Sequence, residues 1–296
     1  MEGYAIRRMR RPELDDALSQ AAAEGWNPGL NDAEAFWRAD ENGFFLGELP
    51  ENGTTRAAAS ISCVRYRGDG QRSDFGFVGL YIVRQVLRGR GYGLRLWNEA
   101  LATLDDAPCV GLDAVLAQVG AYEKDGFVLA RRSVRFEGAF GGNGGGNGGG
   151  EMPAEVHPLA QTPFEEVLAY DERAFPARRE FFLRAWLSLP GHVALGLTRS
   201  GRLAGFGVVR PCGLGAKIGP LFADDDAAAH GLLHGLCASA TRGPVFFDVP
   251  RNHPGAVRLA ESHNMRPVFE TGRMYRGPAP EYDLSREYGV TSFELG

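Results

Sequence analysis

A chain of 296 residues, 44% of them hydrophobic, with a formal net charge of −5 is long enough to build two domains with buried cores. Positions 1–140 carry 17 basic and 20 acidic side chains, and positions 151–296 carry 15 and 17. No element carries the Lys/Arg stripe of a nucleic-acid surface, and no run approaches the ~20 apolar residues of a membrane helix, so the sequence excludes a nucleic-acid partner and a membrane partner and places the protein in the cytoplasm.

The elements alternate between strand and helix patterns from the start. Positions 5–8 open a sheet, and a helix over 12–25 begins with Pro12, whose fixed φ suits a first helical turn. After the turn Trp26-Asn27-Pro28-Gly29 a short helix covers 32–38. Strands follow at 43–49, 56–66 and 75–83, the second alternating Ala57, Ala59, Ile61 and Cys63 with other residues. Leu94, Trp97, Leu101 and Leu104 recur at helical spacing, so 94–104 packs one face on that sheet. A strand at 110–115, a helix at 116–124 and a strand at 127–136 are expected to close it.

Positions 141–150 are eight Gly and two Asn, a flexible linker whose ends stand roughly 17 Å apart on average. Beyond it a weaker copy of the same order recurs. Helices fall at 164–173 and 179–189, a hairpin at 192–209 turns at Ser200-Gly201, and a strand lies at 218–222. A helix at 227–240, a strand at 245–249, a helix at 256–263 and a strand at 267–275 complete it. The fold class is α/β (α+β), with two related domains at 1–140 and 151–296, each a mostly antiparallel mixed sheet flanked by helices. Cys63, Cys109, Cys212 and Cys237 are widely spaced among apolar neighbours, as buried core thiols are.

The chemistry concentrates in Gly79 to Leu96. An apolar strand runs into Arg88-Gly89-Arg90-Gly91-Tyr92-Gly93 and then directly into the amphipathic helix. A helix N-terminus preceded by glycines offers unpaired N–H groups and a partial positive charge to an anion, and Arg88 and Arg90 add charge-assisted donors. A nucleotide-triphosphate loop would need Lys and Ser or Thr after the last Gly, where Leu94-Arg95 stand. A dinucleotide fingerprint would need Gly in place of Leu94 and a parallel preceding fold.

Arg88-x-x-Gly91-x-Gly93 between strand and helix resembles the acetyl-CoA pyrophosphate loop of the GNAT superfamily of N-acetyltransferases. Ala121-Tyr122-Glu123-Lys124-Asp125-Gly126-Phe127 resembles that superfamily's Tyr-x-Lys-x-Gly-Phe segment downstream. Trp26-Asn27-Pro28-Gly29, Lys217 to Leu221, Phe247 to Pro250, Arg273 to Gly277 and the closing Thr291 to Gly296 extend the likeness to the tandem-domain group.

The resemblance implies two splayed strands with the pantetheine arm of acetyl-CoA between them. It implies a thioester oxygen polarised near the main chain of Ile82 or Val83, and cofactor contacts from Arg88, Gly89, Arg90, Gly91, Tyr92, Gly93 and Leu94. Where many members have an Asn seven residues before the Tyr, Val115 stands, and Gln118 is the nearest amide to contact the pantetheine. Tyr122 is the expected catalytic acid for the leaving thiolate. Glu24, Asp32 and Asp74 are carboxylates that could face the acceptor as base or cap a helix. Trp26, Asn27 and Asp32, with Arg273 and Tyr275 from the second half, are the candidates for the acceptor site.

In the second half the matching loop, Phe222 to Ala227, has no glycine and three acids, and Ala260 stands where the Tyr would be. The acids would repel a pyrophosphate, so this half is expected to shape the acceptor site and bind no cofactor. His230 and His234 lack a third ligand at motif spacing, so no metal is expected. The function implied is acetyl transfer from acetyl-CoA to a primary amine of a small molecule. A non-catalytic acyl-CoA-binding or sensing protein and a protein or peptide N-acetyltransferase are the alternatives.

Overall fold

The structure, a computed structural model, describes residues 3–51, 53–67, 74–139, 155–240 and 243–296. The linker expected at 141–150 lies outside the described residues. The first half holds β1 (Ala5–Arg8), α1 (Arg11–Ala23), α2 (Asp32–Ala39), β2 (Phe44–Glu51), β3 (Thr54–Tyr66), β4 (Phe75–Val83), α3 (Tyr92–Leu101), β5 (Cys109–Val115), α4 (Val119–Tyr122) and β6 (Val128–Ala139). The second holds β7 (Val156–Pro158), α5 (Phe164–Ala174), α6 (Glu180–Ser188), β8 (Val193–Arg199), β9 (Arg202–Pro211), β10 (Ala216–Ala223), α7 (Asp226–Ser239), β11 (Pro244–Pro250), α8 (Pro254–Ser262), β12 (Arg266–Arg276) and β13 (Glu287–Gly289).

Local chemistry explains the helices that frame the site. α1 starts at a capping arrangement in which the Arg10 N–H donates to Glu13 Oε2 at 2.7 Å, with Pro12 in the first turn. It buries Leu14, Ala17, Leu18 and Ala21, one stripe at helical spacing. α3 buries Leu96, Trp97, Ala100 and Leu101 against the sheet, and each fully buried large side chain contributes roughly 1.5–3 kcal/mol. The single helix expected at 116–124 is a 3-10 turn, the four-residue α4 and a second 3-10 turn, ended by Gly126 in the left-handed region at φ 82°. All four cysteines are buried and free.

One mixed, mostly antiparallel sheet runs through both halves in the order β1-β2-β3-β4-β5-β12-β6-β11-β10-β9-β8-β7, with β13 also on β10. The strand expected to close the first sheet does not pair with β5. β12 enters from the second half and pairs with β5 from Arg276↔Val110 to Thr271↔Val115. β6 lies on the far side of β12 and crosses to β11, Pro244↔Ala139 to Pro250↔Ser133. The two halves have exchanged their last long strands.

Buried ion pairs fix that exchange. Arg135 of β6 donates to both oxygens of Asp248 on β11 at 2.6 and 2.8 Å. Arg273 of β12 grips Asp113 of β5 at 2.9 and 2.7 Å, and Arg131 grips Glu287 of β13 at 2.6 and 2.9 Å. Arg210 of β9 reaches Asp32 of α2 at 3.1 Å. Each pair joins one half to the other, and each is nearly or wholly shielded from water. Removing one partner from such a pair strands a buried charge and costs about 3–5 kcal/mol, although the intact pair adds little net stability. Their consequence is register: any other alignment of β6 or β12 leaves charges unpaired.

Each half has a parallel strand pair that separates. β4 pairs with β5 only from Phe75↔Cys109 to Val78↔Leu112. From Gly79 onward β4 is bonded to β3 alone, with a register shift in the stretch containing Leu80, which is at φ 48°. β10 and β11 likewise pair from Ala216↔Val245 to Ile218↔Phe247. There β13 lies along β10, at Leu221↔Gly289 and Phe222↔Glu287, and covers the edge that is left open in the first half.

Candidate active site

The glycine loop lies where β4 gives way to α3. Gly89 has φ 73° and Gly91, the residue before the first turn of α3, has φ 83°. A side chain in that left-handed region costs roughly 1–2 kcal/mol, which is why glycine stands there. A Cβ on Gly93 would come within 2.6 Å of the Tyr81 hydroxyl and 2.7 Å of Val83 Cγ2, so the helix start can press against β4 only without one. Tyr4 donates its hydroxyl proton to the Tyr92 carbonyl at 3.0 Å and ties the loop to the N-terminal segment. Arg88 is anchored by its Nε on the Val83 carbonyl at 2.9 Å, and its outer nitrogen donates to Glu24. Arg90, Gly91 and Leu94 are exposed beside it. The start of α3 behind two glycines, with Arg88 and the exposed Arg90 in the same loop, is a sequence and backbone arrangement suited to cradling an anion such as a diphosphate.

From this cradle the free edge of β4 leads into a cavity of about 480 Å³. Ile82, Val83, Arg88, Gln118 and Tyr122 line it, as does Val115. The Tyr122 ring packs 5.2 Å from Trp97 and 6.4 Å from Phe127, centroid to centroid. Its hydroxyl makes no hydrogen bond to the described residues. Burial first, and then Tyr81, push its pKa up to about 12, so the phenol keeps its proton through the neutral range. A cavity with an open main-chain edge, an anion cradle at one end and a protonated phenol fits a thioester bound through a diphosphate.

The β4 residues from Val78 to Tyr81, Leu112 and Asp113 of β5, Glu24, Trp26 and Arg135 of β6 also line the cavity, and the second half adds Phe269 and Thr271 of β12 and Phe293 and Glu294 after β13. The exchanged strands thus bring second-half residues to the splay. Arg135 also donates to the Trp26 carbonyl at 2.8 Å, which Lys217 approaches at 3.4 Å. Burial, followed by Arg135, lowers the Lys217 pKa.

Of the acceptor candidates read from the sequence, Trp26 lines the cavity and the other four do not. Asn27 clamps a second-half loop, its amide donating to the Leu214 carbonyl at 3.0 Å and accepting from the Leu214 N–H at 2.9 Å. Asp32 is fully buried, held by Arg210 and by the Gly29 N–H at 2.9 Å. Arg273 stands behind Asp113 and over the Phe77 ring at 5.0 Å, and Tyr275 packs against Phe75 at 6.5 Å. On β12 they pair with Asp113 and Gly111 of β5, whereas Thr271 ends that pairing opposite Val115 and Phe269 lies beyond it. Asp74 is ion-paired to Arg65 at 3.1 Å, away from the cavity. The sequence reading missed Asp113, Arg135, Phe269, Thr271, Phe293 and Glu294. The last two belong to the closing Thr291 to Gly296 segment, whose likeness to the tandem-domain group was its signal.

The corresponding region of the second half is filled by its own side chains. Asp225 accepts the Ala228 N–H at 2.8 Å at the start of α7 and pairs with Arg199 at 2.6 Å. Asp224 accepts from Tyr170 at 2.6 Å and from Arg286, and Asp226 accepts from Tyr288 at 2.6 Å. A carboxylate thus sits where a bound anion would lie, and β13 covers the strand edge. The His230 ring lies 5.4 Å from that of His263, and among the described residues no group of three His, Cys, Asp or Glu side chains is placed to hold a metal. No helix among them is long and apolar enough to cross a membrane.

Comparison with known proteins follows the same division. Residues 11–127 match the acetyltransferase (GNAT) family, and residues 167–289 match an acetyltransferase (GNAT) domain. A holothin acyltransferase from Pseudoalteromonas sp. (strain SANK 73390) is 30% identical over 277 residues, 93% of this chain and 89% of that one. The uncharacterized N-acetyltransferase YitH of Bacillus subtilis (strain 168) is 26% identical over 176 residues, 60% of this chain and 61% of its own. A crystal structure from Pyrococcus horikoshii shares the fold with a TM-score of 0.79 at 22% identity, covering 100% of this chain and 97% of that one. The chain belongs to the GNAT family of acetyltransferases and is an acyltransferase with two such domains in tandem.

Proposed function

We propose that this enzyme binds one acetyl-CoA through its first half and moves the acetyl group to a primary amine of a small molecule. The observation that carries the reading is a cavity lined by the free edge of β4, by Arg88 at the start of the glycine loop and by Tyr122. Acetyl-CoA supplies an activated acetyl thioester. The cradle orients its diphosphate, and Glu24 releases Arg88 as the phosphate takes its place. Main-chain N–H groups of β4 around Ile82 and Val83 receive the pantetheine arm and polarise the thioester carbonyl.

In the transfer a C–N bond forms, the C–S bond breaks, the nitrogen sheds a proton and the sulfur gains one. Tyr122 is the donor to sulfur. Burial raises the pKa of the phenol and of a thiol alike, because both ionise to anions, so the proton transfer stays balanced in the same pocket. A cavity of this size, walled by both halves, favours a small molecule over a protein chain, since small-ligand sites run about 300–1,000 Å³ and lie preferentially between domains. The filled groove of the second half supports a single cofactor site.

The test is acetyl-CoA-dependent release of free thiol across a panel of amines, with wild type and Tyr122→Phe compared on the best acceptor. Loss of a general acid should lower kcat about 10²-fold or more while acetyl-CoA affinity is retained. A Tyr122→Phe enzyme with wild-type turnover across the pH range would leave the phenol a packing role only.

A further inference from the structure

Two polar atoms in the cavity wall are buried and lack a hydrogen-bond partner among the described residues: Oε2 of Glu294 and Oγ1 of Thr271. The residues are 4% and 2% exposed. A buried polar group left unmet costs roughly 1–3 kcal/mol, so a ligand that reaches these two atoms gains by meeting them. Glu294 is held by its main chain rather than by its carboxylate. Its carbonyl oxygen packs on the Cα of Gly79, the first β4 residue past the pairing with β5, so closely that a Cβ there would lie 2.0 Å away. The Leu295 N–H donates to Ser292 Oγ at 3.1 Å and the Leu295 carbonyl accepts from Tyr66 at 3.0 Å. Thr271 is fixed by its register between Val115 and Ser133.

The surrounding charges are already matched. Arg135 is paired with Asp248, Arg273 with Asp113 and Arg88 with Glu24, whereas Glu294 is in no ion pair with a described residue and acts on the buried Lys217 and on Arg135 only through its field. Around it the wall is aromatic, with the Phe269 and Phe293 rings 6.4 Å apart and tilted by 50°. Trp26, Phe269 and Phe293 line the cavity, and the Arg135 guanidinium lies over the last two rings at 5.7 and 5.1 Å.

We propose that Glu294, with the Thr271 hydroxyl, binds the amine of the acceptor, and that this amine is carried on a flat aromatic group seated against Trp26, Phe269 and Phe293. The inference rests on the acetyltransferase reading above and assigns the group that reading leaves open. The carboxylate accepts hydrogen bonds from the incoming nitrogen and then takes the proton it sheds. The nitrogen lone pair forms the C–N bond, and the C–S electrons stay with sulfur, which is protonated by Tyr122. The second half thus contributes the acceptor-binding group, and the first half the donor-binding cradle.

The experiment is calorimetric titration of the intact protein with three probes, benzylamine, benzyl alcohol and spermidine, in the presence and absence of coenzyme A. A charge-assisted hydrogen bond to a carboxylate should make wild type favour benzylamine over benzyl alcohol by about tenfold or more. Glu294→Gln should erase that preference while coenzyme A affinity is kept, and Thr271→Val should reduce it. Spermidine, which has no ring for the aromatic wall, should bind more weakly than benzylamine. Equal affinity for the amine and the alcohol in wild type, no benzylamine binding, tighter spermidine binding, or a preference that survives in Glu294→Gln would each overturn the proposal, and the wild-type comparison needs no variant to fold. Coenzyme A that binds alongside a missing amine preference would sink the role of Glu294 alone. Failure of coenzyme A to bind would sink the acetyltransferase reading, and the amine titration without it would still decide the role of Glu294.

Discussion

Gly79→Ala places one methyl group where the structure has no room for it. The new Cβ would meet the carbonyl oxygen, carbonyl carbon and Cα of Glu294 at 2.0, 2.9 and 3.1 Å, all main-chain atoms that cannot rotate away. Ordinary contact begins at 3.4 Å, so the Glu294 carbonyl must retreat by 3.4 less 2.0, or 1.4 Å. That motion pulls on a turn pinned by the bond from Tyr66 to the Leu295 carbonyl. Overpacking of this kind costs about 1–3 kcal/mol, which in a chain of this size lowers Tm by about 2–12 °C. Because the displaced residue is the proposed amine-binding group, benzylamine affinity should fall more than acetyl-CoA affinity, whose cradle lies at the other end of β4. The assay pairs a thermal melt with both titrations. Gly120→Ala is the control, since its Cβ would find nothing nearer than Glu123 Oε2 at 3.9 Å, and its Tm should hold or rise. A Gly79→Ala protein that melts with wild type and binds benzylamine equally would refute the packing argument and the placement of Glu294 together.

Stability should fall as the solution is acidified through the range governed by His192. Burial, and after it Arg210, lower the pKa of this ring to about 4 from 6.5, while its Nδ1 donates to the Trp186 carbonyl at 2.9 Å. The unfolded chain therefore binds the proton first, and between pH 6.5 and about 4 unfolding becomes easier as pH drops, by at most about 3 kcal/mol from this group. Urea unfolding across that range, with His192→Gln flattening the slope, checks it; an equal slope in the variant would contradict it. A fragment of residues 1–140 lacks β12, which covers β5, and every strand that pairs with β6, so it should show no cooperative melt by circular dichroism. A fragment that folds and binds acetyl-CoA would show that the strand exchange is dispensable.

The glycine loop between strand and helix was legible because its requirements are local. The sequence reads glycines ahead of a helix, and Gly89 and Gly91 have positive φ just before α3. The hairpin turning at Ser200-Gly201 was legible for the same reason, and so was the helix over 94–104 in part: Trp97, Leu101 and Leu104 are buried as their spacing expects, whereas Leu94 is exposed. Partner choice is not in the spacing. The alternation of β6 fits a strand beside β5 as well as one beside β12 and β11, and only the burial of Arg131 and Arg135 against acids more than 100 positions away decides between them. The sequence shows no Lys/Arg stripe, but it does not pair Arg135 with Asp248 or Arg273 with Asp113. Arg273 and Tyr275, read from the sequence as acceptor candidates, pack against Asp113, Phe77 and Phe75. The same strand reaches the cavity through Phe269 and Thr271, four and two residues earlier on β12 than Arg273.

The central claim is that one of the two halves binds the acyl donor, through the loop from Arg88 to Gly93. Calorimetric titration of the intact chain with acetyl-CoA tests it most directly. The account expects one site per chain, an affinity lowered about tenfold or more by Arg88→Glu, which sets like charge against the diphosphate, and no change on Asp225→Asn in the filled groove of the second half. Two equal sites, or wild-type affinity in Arg88→Glu, would contradict it.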